Sequence, residues 1–465
     1  MKTLLFIFSF LASAALIAQT TVSGGIYNNT TWNLAGSPYL VTGSIVVFPN
    51  RTLTIEPGVE VIVTADNTFN TGNFIYLEVR GSLVANGTGN APIVFTSTDT
   101  TTGFYNWEGI RIKGSQGGTV QMNHFELHNT WYGIYNDISQ PGVSYVFDGC
   151  YFRSNQYGLQ LNADMVYNNC IFESNGAGQA AQISYGTLTA TNCQFLNNFC
   201  SFTWSNFINV NNCLFAGNQN NIIGSPGVIQ NSQFYNNTFG MTEISNITVN
   251  QCVFDGNGTG IDGSSTCVIT NSTFTNNSIA VKIGDASTVS QNTITDNAIG
   301  VQVLGYDPNT TSIDSNLICN NSIHNLENLT DKNYQVNLNC FCSQDSTIIE
   351  NRILDGFDDI TRGLVNYAIY DDSCQTVISY VTKIDLGGPA GLTALDEQWN
   401  TWFDGESLVI ENNIPGIFSI YDIQGTRLIN ATATVGLNKI SLTLPQGLYL
   451  VGREGGQTQK VFIGN

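Results

Sequence analysis

Charge is scarce in this chain. Only 11% of its 465 residues are Asp, Glu, Lys or Arg, against about a quarter in ordinary soluble proteins. The basic side is the poorer one: 15 Lys and Arg stand against 35 Asp and Glu, a formal net charge of −20. Nucleic acid is therefore excluded as a partner, because binding it needs a basic face. Histidine is limited to His124, His128 and His324. A zinc site or a nucleophile–His–carboxylate triad would need such rings clustered with supporting groups, so all three read as surface or turn residues. Helical i, i+3, i+4, i+7 stripes of useful length are missing from the centre of the chain. Past the first 18 residues, no stretch is long and apolar enough to span a bilayer.

Asn, Ser, Thr and Gly carry the polar surface instead, and they do so periodically. Between residues 150 and 321 a short phrase recurs: a small residue, any residue, Phe, two further residues, Asn. It reads Cys150-Tyr-Phe-Arg-Ser-Asn155 and Cys170-Ile-Phe-Glu-Ser-Asn175. It returns at Cys193–Asn198, Cys213–Asn218, Ser232–Asn237, Cys252–Asn257 and Ser272–Asn277. It fades at Asn292–Asn297 and Asn316–Asn321, where Ile294 and Ile318 replace Phe. The closing Asn residues are spaced 20, 23, 20, 19, 20, 20, 20 and 24 apart. A near-fixed period of this size is the signature of a stacked solenoid.

Side-chain alternation selects the kind of solenoid. Cys150, Phe152, Leu159 and Leu161 alternate with polar or variable residues, a strand period of two. An apolar residue usually follows the closing Asn by four: Leu159, Phe202, Ile222, Met241, Ile261, Val281, Val301. Each repeat thus holds short strands joined by polar turns, and the chain resembles the right-handed parallel β-helix repeat family. Equivalent residues should lie ~4.8 Å apart on successive coils. The Phe residues should form one internal column, and Cys150, Cys170, Cys193, Cys213 and Cys252 a ladder of unbonded thiols. The closing Asn should occupy left-handed turn positions. One disulfide is expected among Cys340, Cys342 and Cys374.

In chain order, residues 1–18 read as a secretory signal peptide, with a basic start and an apolar run from Leu4 to Ile17. Residues 19–386 form the β-helix. Leu53-Thr-Ile-Glu-Pro-Gly and Pro92-Ile-Val-Phe-Thr-Ser resemble the opening coils of secreted bacterial β-helix proteins. A C-terminal cap is expected over about 340–386, with a helix over Ser346–Leu354 capped by Asp345 or Ser346. Residues 387–395 read as a linker, Gly387-Gly-Pro-Ala-Gly391 at their head.

Residues 396–465 lack the Asn beat. Asp422-Ile-Gln-Gly425, Leu444-Pro-Gln-Gly-Leu-Tyr449 and the Lys460 strand resemble the type A sorting domain of the type IX secretion system of Bacteroidetes. The usual Pro-Asn-Pro start is absent; Trp399 to Val409 stands there. The resemblance implies a small β-sandwich, so the fold class expected is all-β: a right-handed parallel β-helix followed by that sandwich. It also implies export across the outer membrane, with the passenger tethered to the cell surface or released.

The catalytic candidates are Glu126, Arg153 and Glu173. Each follows a repeat Phe, or Phe125, by one residue. They should therefore stack on neighbouring coils, with the carboxylates ~9–10 Å apart, at the upper edge of an inverting glycosidase pair. The competing explanation is a surface charge ladder. Arg111-Ile-Lys113 matches in letters a motif of polygalacturonases. It lies before the repeats, without a Gly-His-Gly or Asn-Thr-Asp partner, and reads as coincidence. Asp358-Asp359 and Asp371-Asp372 read as turn residues. Trp131, Tyr132, Tyr151 and Tyr157 are the binding candidates, since aromatic rings at matching places on adjacent coils would stack on sugars. No cofactor or metal site is expected; Ca²⁺ could suit so acidic a chain, but no motif supports it. The expectation is a monomeric, secreted β-helix protein that binds glycans or mediates adhesion; a polysaccharide lyase or glycoside hydrolase is the alternative, because the same scaffold hosts both.

Overall fold

The computed structural model describes residues 19–463, except 66–73, 102–103, 139, 141, 177–178, 183–185, 204, 369, 372–373, 375–398, 404–406, 413–415, 422–426, 434–435, 442–443, 445–446 and 454–457. The expected signal peptide, the 387–395 linker and the Asp422–Gly425 phrase lie outside the described residues. The chain divides into two compact units, Met1–Pro389 and Ala390–Asn465.

The first unit is a parallel β-helix. Strands of successive coils pair in register, as Tyr151–Arg153 does with Ile171–Glu173 and that with Gln194–Leu196. Phe152, Phe172, Phe195, Phe215, Phe234, Phe254 and Phe274 are mutual partners from coil to coil. Their rings lie 4.6–4.9 Å apart with planes within 9° of parallel, and all are fully buried. Ile294 and Ile318 continue the column. A second buried column includes Leu159, Phe202, Ile222, Met241, Ile261, Val281, Val301 and Leu326. Alternation puts these side chains inside; stacking at strand spacing then places like over like.

The closing Asn does something other than expected. Asn155 and its equivalents are not in the left-handed region. The residue before each of them is: Ser154 (φ 54°), Ser174 (52°), Asn197 (53°), Gly217 (66°), Asn236 (52°), Gly256 (71°) and Asn276 (56°). That corner turns the closing Asn inward, where it is buried. Asn237 shows the wiring. Its Nδ2 donates to the Phe215 carbonyl (3.1 Å) and to Asn257 Oδ1 (2.9 Å), while its Oδ1 accepts from the backbone N–H (2.9 Å) and Nδ2 (3.2 Å) of Asn218. The same pattern runs from Asn155 to Asn297. Each amide thereby satisfies itself inside an apolar core, where an unpaired polar group is costly.

The small residue that opens the phrase has a related task. The backbone N–H of each coil points at the side-chain acceptor of the next: Cys193 N–H at Cys213 Sγ (3.4 Å), Cys213 at Ser232 Oγ (3.1 Å), Cys252 at Ser272 Oγ (3.1 Å), Ser272 at Asn292 Oδ1 (2.9 Å), Asn292 at Asn316 Oδ1 (3.0 Å). Cys, Ser and Asn interchange here because each is small and carries an acceptor at the right reach. The thiols at this position are free and buried, and burial pushes Cys252 up to about 12.

In the cap, Cys340 bonds Cys374, and Cys342 bonds Cys319, a residue outside the expected trio. The helix is shorter than expected, Ser346–Glu350, with Asp345 accepting from the Thr347 N–H. Ile353–Leu354 leaves it to pair with Leu326–Glu327. Burying Ile353 against the last coil outweighs local helix preference. Asp359 accepts from the Thr361 N–H and pairs with Arg362 at 3.1 Å.

The second unit holds two small antiparallel sheets. One joins Trp399–Phe403, Ser407–Asn412 and Gly436–Ser441; the other joins Arg427–Ala433, Gly416–Tyr421, Gly447–Arg453 and Thr458–Ile463. Leu408, Ile410, Phe418, Ile420 and Val451 form its core.

Replacing Asn237 with Ala deletes four buried hydrogen bonds and should cost about 3–4 kcal/mol in denaturant unfolding. Gln219→Ala, at an exposed position, should stay within about 0.5 kcal/mol of wild type. Equal costs for the two would contradict the ladder's role.

Candidate functional site

Irregular coils at the N-terminal end hold a cluster of charged and aromatic side chains. Strands Tyr76–Val79, Gly109–Ile112, Ile134–Asn136 and Leu159–Gln160 pair side by side. Leu77, Ile110, Ile134 and Leu159 fill the core. The next residue of each strand therefore faces outward, which sets Glu78, Arg111, Tyr135 and Gln160 in one column.

Arg111 is the hub of this column. Its Nη1 donates to Glu78 Oε2 (2.9 Å), its Nη2 to Glu108 and its Nε to the Tyr135 hydroxyl (2.5 Å). Tyr135 in turn donates to Glu108. The guanidinium lies 4.2 Å from the centre of the Tyr76 ring, a cation–π contact. Glu78 is only 2% exposed and is also paired with Arg80 at 2.5 Å. Burial alone would raise the Glu78 carboxyl; the bonds from Arg80 and Arg111 outweigh it and hold the group below the usual carboxylate range. Burial first, and then the bond to Glu108, push the Tyr135 hydroxyl well up. Glu78 is thus kept charged and Tyr135 kept protonated, an arrangement for holding and orienting rather than for trading protons.

The aromatic candidates join this cluster. Trp131 and Tyr132 stack at 5.0 Å with planes 6° apart, and Tyr132 and Tyr157 at 5.8 Å and 8°. Tyr132 also meets Tyr135 at 5.2 Å, tilted by 50°. Phe74 and Tyr105 abut Trp131 edge-on. Gly133 makes the turn between Tyr132 and Ile134. It has φ 61°, and a Cβ there would lie 1.8 Å from the Gly158 carbonyl oxygen. The Trp131, Tyr132 and Tyr157 rings thus stack on one another in a row.

Tyr151 does not belong to this row. It lies on the sheet that carries the Phe column, where its hydroxyl contacts Glu173. Arg153 Nε is 3.6 Å from Glu173. Glu126 is not in that stack, and here the sequence register needs correcting: it pairs with Tyr151, and His128 pairs with Arg153. Leu127, not Phe125, is the partner of Phe152. Both Phe125 and Leu127 face inward, so a slip of two residues keeps the core intact and moves Glu126 one column over. His128 Nε2 sits 3.1 Å from Glu126, with its ring edge-on to Tyr151 at 5.6 Å. His324 is likewise more than a surface ring. Its Nδ1 is 2.7 Å from buried Glu327, whose other oxygen accepts from Gln302 Nε2 at 2.7 Å.

Sequence reasoning missed Glu78 and Glu108, set Arg111 aside, and placed Tyr135 only near the aromatic candidates. The signal was there: Gly109-Ile-Arg, Gly133-Ile-Tyr and Gly158-Leu-Gln align three outward residues after a Gly–aliphatic pair.

Arg111→Ala leaves the Glu78 carboxylate buried with Arg80 alone and should cost about 3 kcal/mol at neutral pH. Adding Glu78→Gln should recover much of that loss. A depressed carboxylate stabilises the fold above its unfolded pKa of about 4.3 and loses that contribution as pH falls. The acid limb of the stability curve should therefore be shallower in Arg111→Ala than in wild type. Thermal melts between neutral and acid pH would measure both effects.

Among solved structures, the chain is similar to the A-module of a mannuronan C-5 epimerase from Azotobacter vinelandii, at 15% identity and TM-score 0.36, over 69% of this chain and 90% of that one. A mutant of a periplasmic alginate epimerase matches at 11% identity and TM-score 0.24, over 75% and 76% of the two chains. Endopolygalacturonase I from Stereum purpureum matches at 12% and 0.18, over 76% and 94%. No curated protein matches. The family model for the pectate-lyase-like β-helix domain matches residues 24–353, so the chain belongs to that family.

Proposed function

We propose that this is a secreted β-helix protein that binds glycans through the aromatic row of Trp131, Tyr132 and Tyr157 and the adjoining Glu108, Arg111 and Tyr135. What carries this most directly is the meeting of rings and polar groups: Tyr132 touches Tyr135, whose hydroxyl bridges Arg111 and Glu108. Sugar rings offer apolar C–H faces and hydroxyl rims, and such a site offers both partners. Proton-transfer chemistry finds less support there, since the groups are locked in mutual bonds.

A polysaccharide lyase or glycoside hydrolase on the same scaffold is the second reading. It draws on the other cluster, where Glu126, His128, Tyr151, Arg153 and Glu173 converge. Incubating the protein with a polysaccharide panel separates the two. The binding role predicts retention on glycan without product, and loss of at least ~10-fold in affinity for Tyr132→Ala/Tyr157→Ala. Product formation abolished by Glu173→Gln would instead establish the enzyme.

We further propose export by the type IX secretion machinery through residues 396–465, with the protein displayed on the outer cell surface or released as a monomer. The Leu444–Tyr449 and Lys460 phrases and the small antiparallel unit support this. Fusing residues 387–465 to a periplasmic reporter in a host with that machinery should move the reporter outside the cell. Retention in the periplasm would reject the role.

A further inference from the structure

Every basic group of the candidate site already has an acidic partner. Arg80 pairs with Glu78, Arg111 with Glu78 and Glu108, and Lys113 with Asp137 at 3.7 Å. Three cations thus face three carboxylates, and the patch is locally neutral on a chain of net charge −20. Arg111 is committed more deeply still. All three of its nitrogens donate to protein acceptors, and its Cζ lies over the Tyr76 ring. A carboxylate on a ligand would have to displace Glu108 or Glu78, and Glu78 is 2% exposed. The remaining carboxylate would then stand beside the incoming one, a like-charge contact in a partly dry site.

We infer that the site selects neutral glycans and rejects polyuronates, with Glu108 as the residue that sets this choice. This rests on the glycan-binding reading of the same site. Glu108 is a hydrogen-bond acceptor, suited to sugar hydroxyls as donors. With Tyr135 on Nε and Glu78 on Nη1, Glu108 on Nη2 completes the occupation of the guanidinium and hinders bidentate docking of a uronate carboxylate. Selection then works by exclusion: the aromatic row is indifferent to charge, and the ion pairs supply the penalty for the wrong ligand.

The test compares equal-length oligosaccharides on the purified protein by titration calorimetry, at low and physiological salt. Cello-, manno- and xylo-oligosaccharides form the neutral series; oligogalacturonate and oligomannuronate form the acidic one. The best neutral ligand should bind at least ~10-fold more tightly than either uronate, with little salt dependence. Glu108→Gln should raise uronate affinity and narrow the preference. A thermal melt checks that this variant is folded, and wild-type selectivity alone still decides if it is not. Uronates bound more tightly than neutral sugars, with binding lost in Tyr132→Ala/Tyr157→Ala, would overturn the selectivity while leaving the glycan site standing. Absence of binding in both series would overturn the two together.

Discussion

One constraint governs the regular coils of the first unit: each must hydrogen-bond side chains, as well as backbone, to the coil after it. The closing Asn residues satisfy this from inside the core. Asn237 and Asn257 each donate twice and accept twice through their side chains, and the acceptor of one is addressed by the backbone of the one before. A chain of this kind tolerates no gap, because removing one amide strands its neighbours in a place water does not reach. It also fixes register. Once Asn stacks on Asn, the Phe three residues earlier must stack on Phe. The parallel rings at 4.6–4.9 Å follow from the ladder as much as from their own attraction.

This constraint explains what could be read from the sequence and what could not. The Phe column, the thiol ladder and the apolar residue that usually follows the Asn by four were legible, since each repeats at strand spacing with side chains of similar character. The corner conformation was assigned to the wrong residue. An Asn in a turn suggests its own left-handed backbone, yet Ser154, Gly217 and Gly256 take that geometry and leave the next Asn free to turn in. Cys319 went unpaired in the reading because its partner, Cys342, comes from a cap with no repeat to align it.

The register error around Glu126 has a specific origin. In that coil the phrase reads Leu127-His-Asn-Thr130. Thr130 stands where the Asn belongs, and its N–H and hydroxyl both bond to Asn155 Oδ1. With neither Phe nor Asn to anchor the alignment, the period of two allowed either Phe125 or Leu127 as the inward partner of Phe152. The same weakness hid the meeting of Glu78, Arg111 and Tyr135. These lie 33 and 24 residues apart, in coils where loops of unequal length separate the strands, so counting along the chain could not bring them together.

Regularity and chemistry are thus divided along the axis. From residue 154 to 281 the chain has no Lys or Arg at all, and this is where the Asn and Phe columns are most uniform. Arg80, Arg111, Lys113 and Arg153 all precede it. A uniform coil is stable because its outward positions repeat as faithfully as its inward ones, and a repeating charge column would set like charges about 4.8 Å apart. A charged column therefore needs residue type to change from coil to coil, as where Glu78 pairs with Arg111 and Arg111 with Tyr135. The entry coils meet that condition by giving up the Asn ladder, and Gly133 and the buried Glu78–Arg111 pair hold them in place of it.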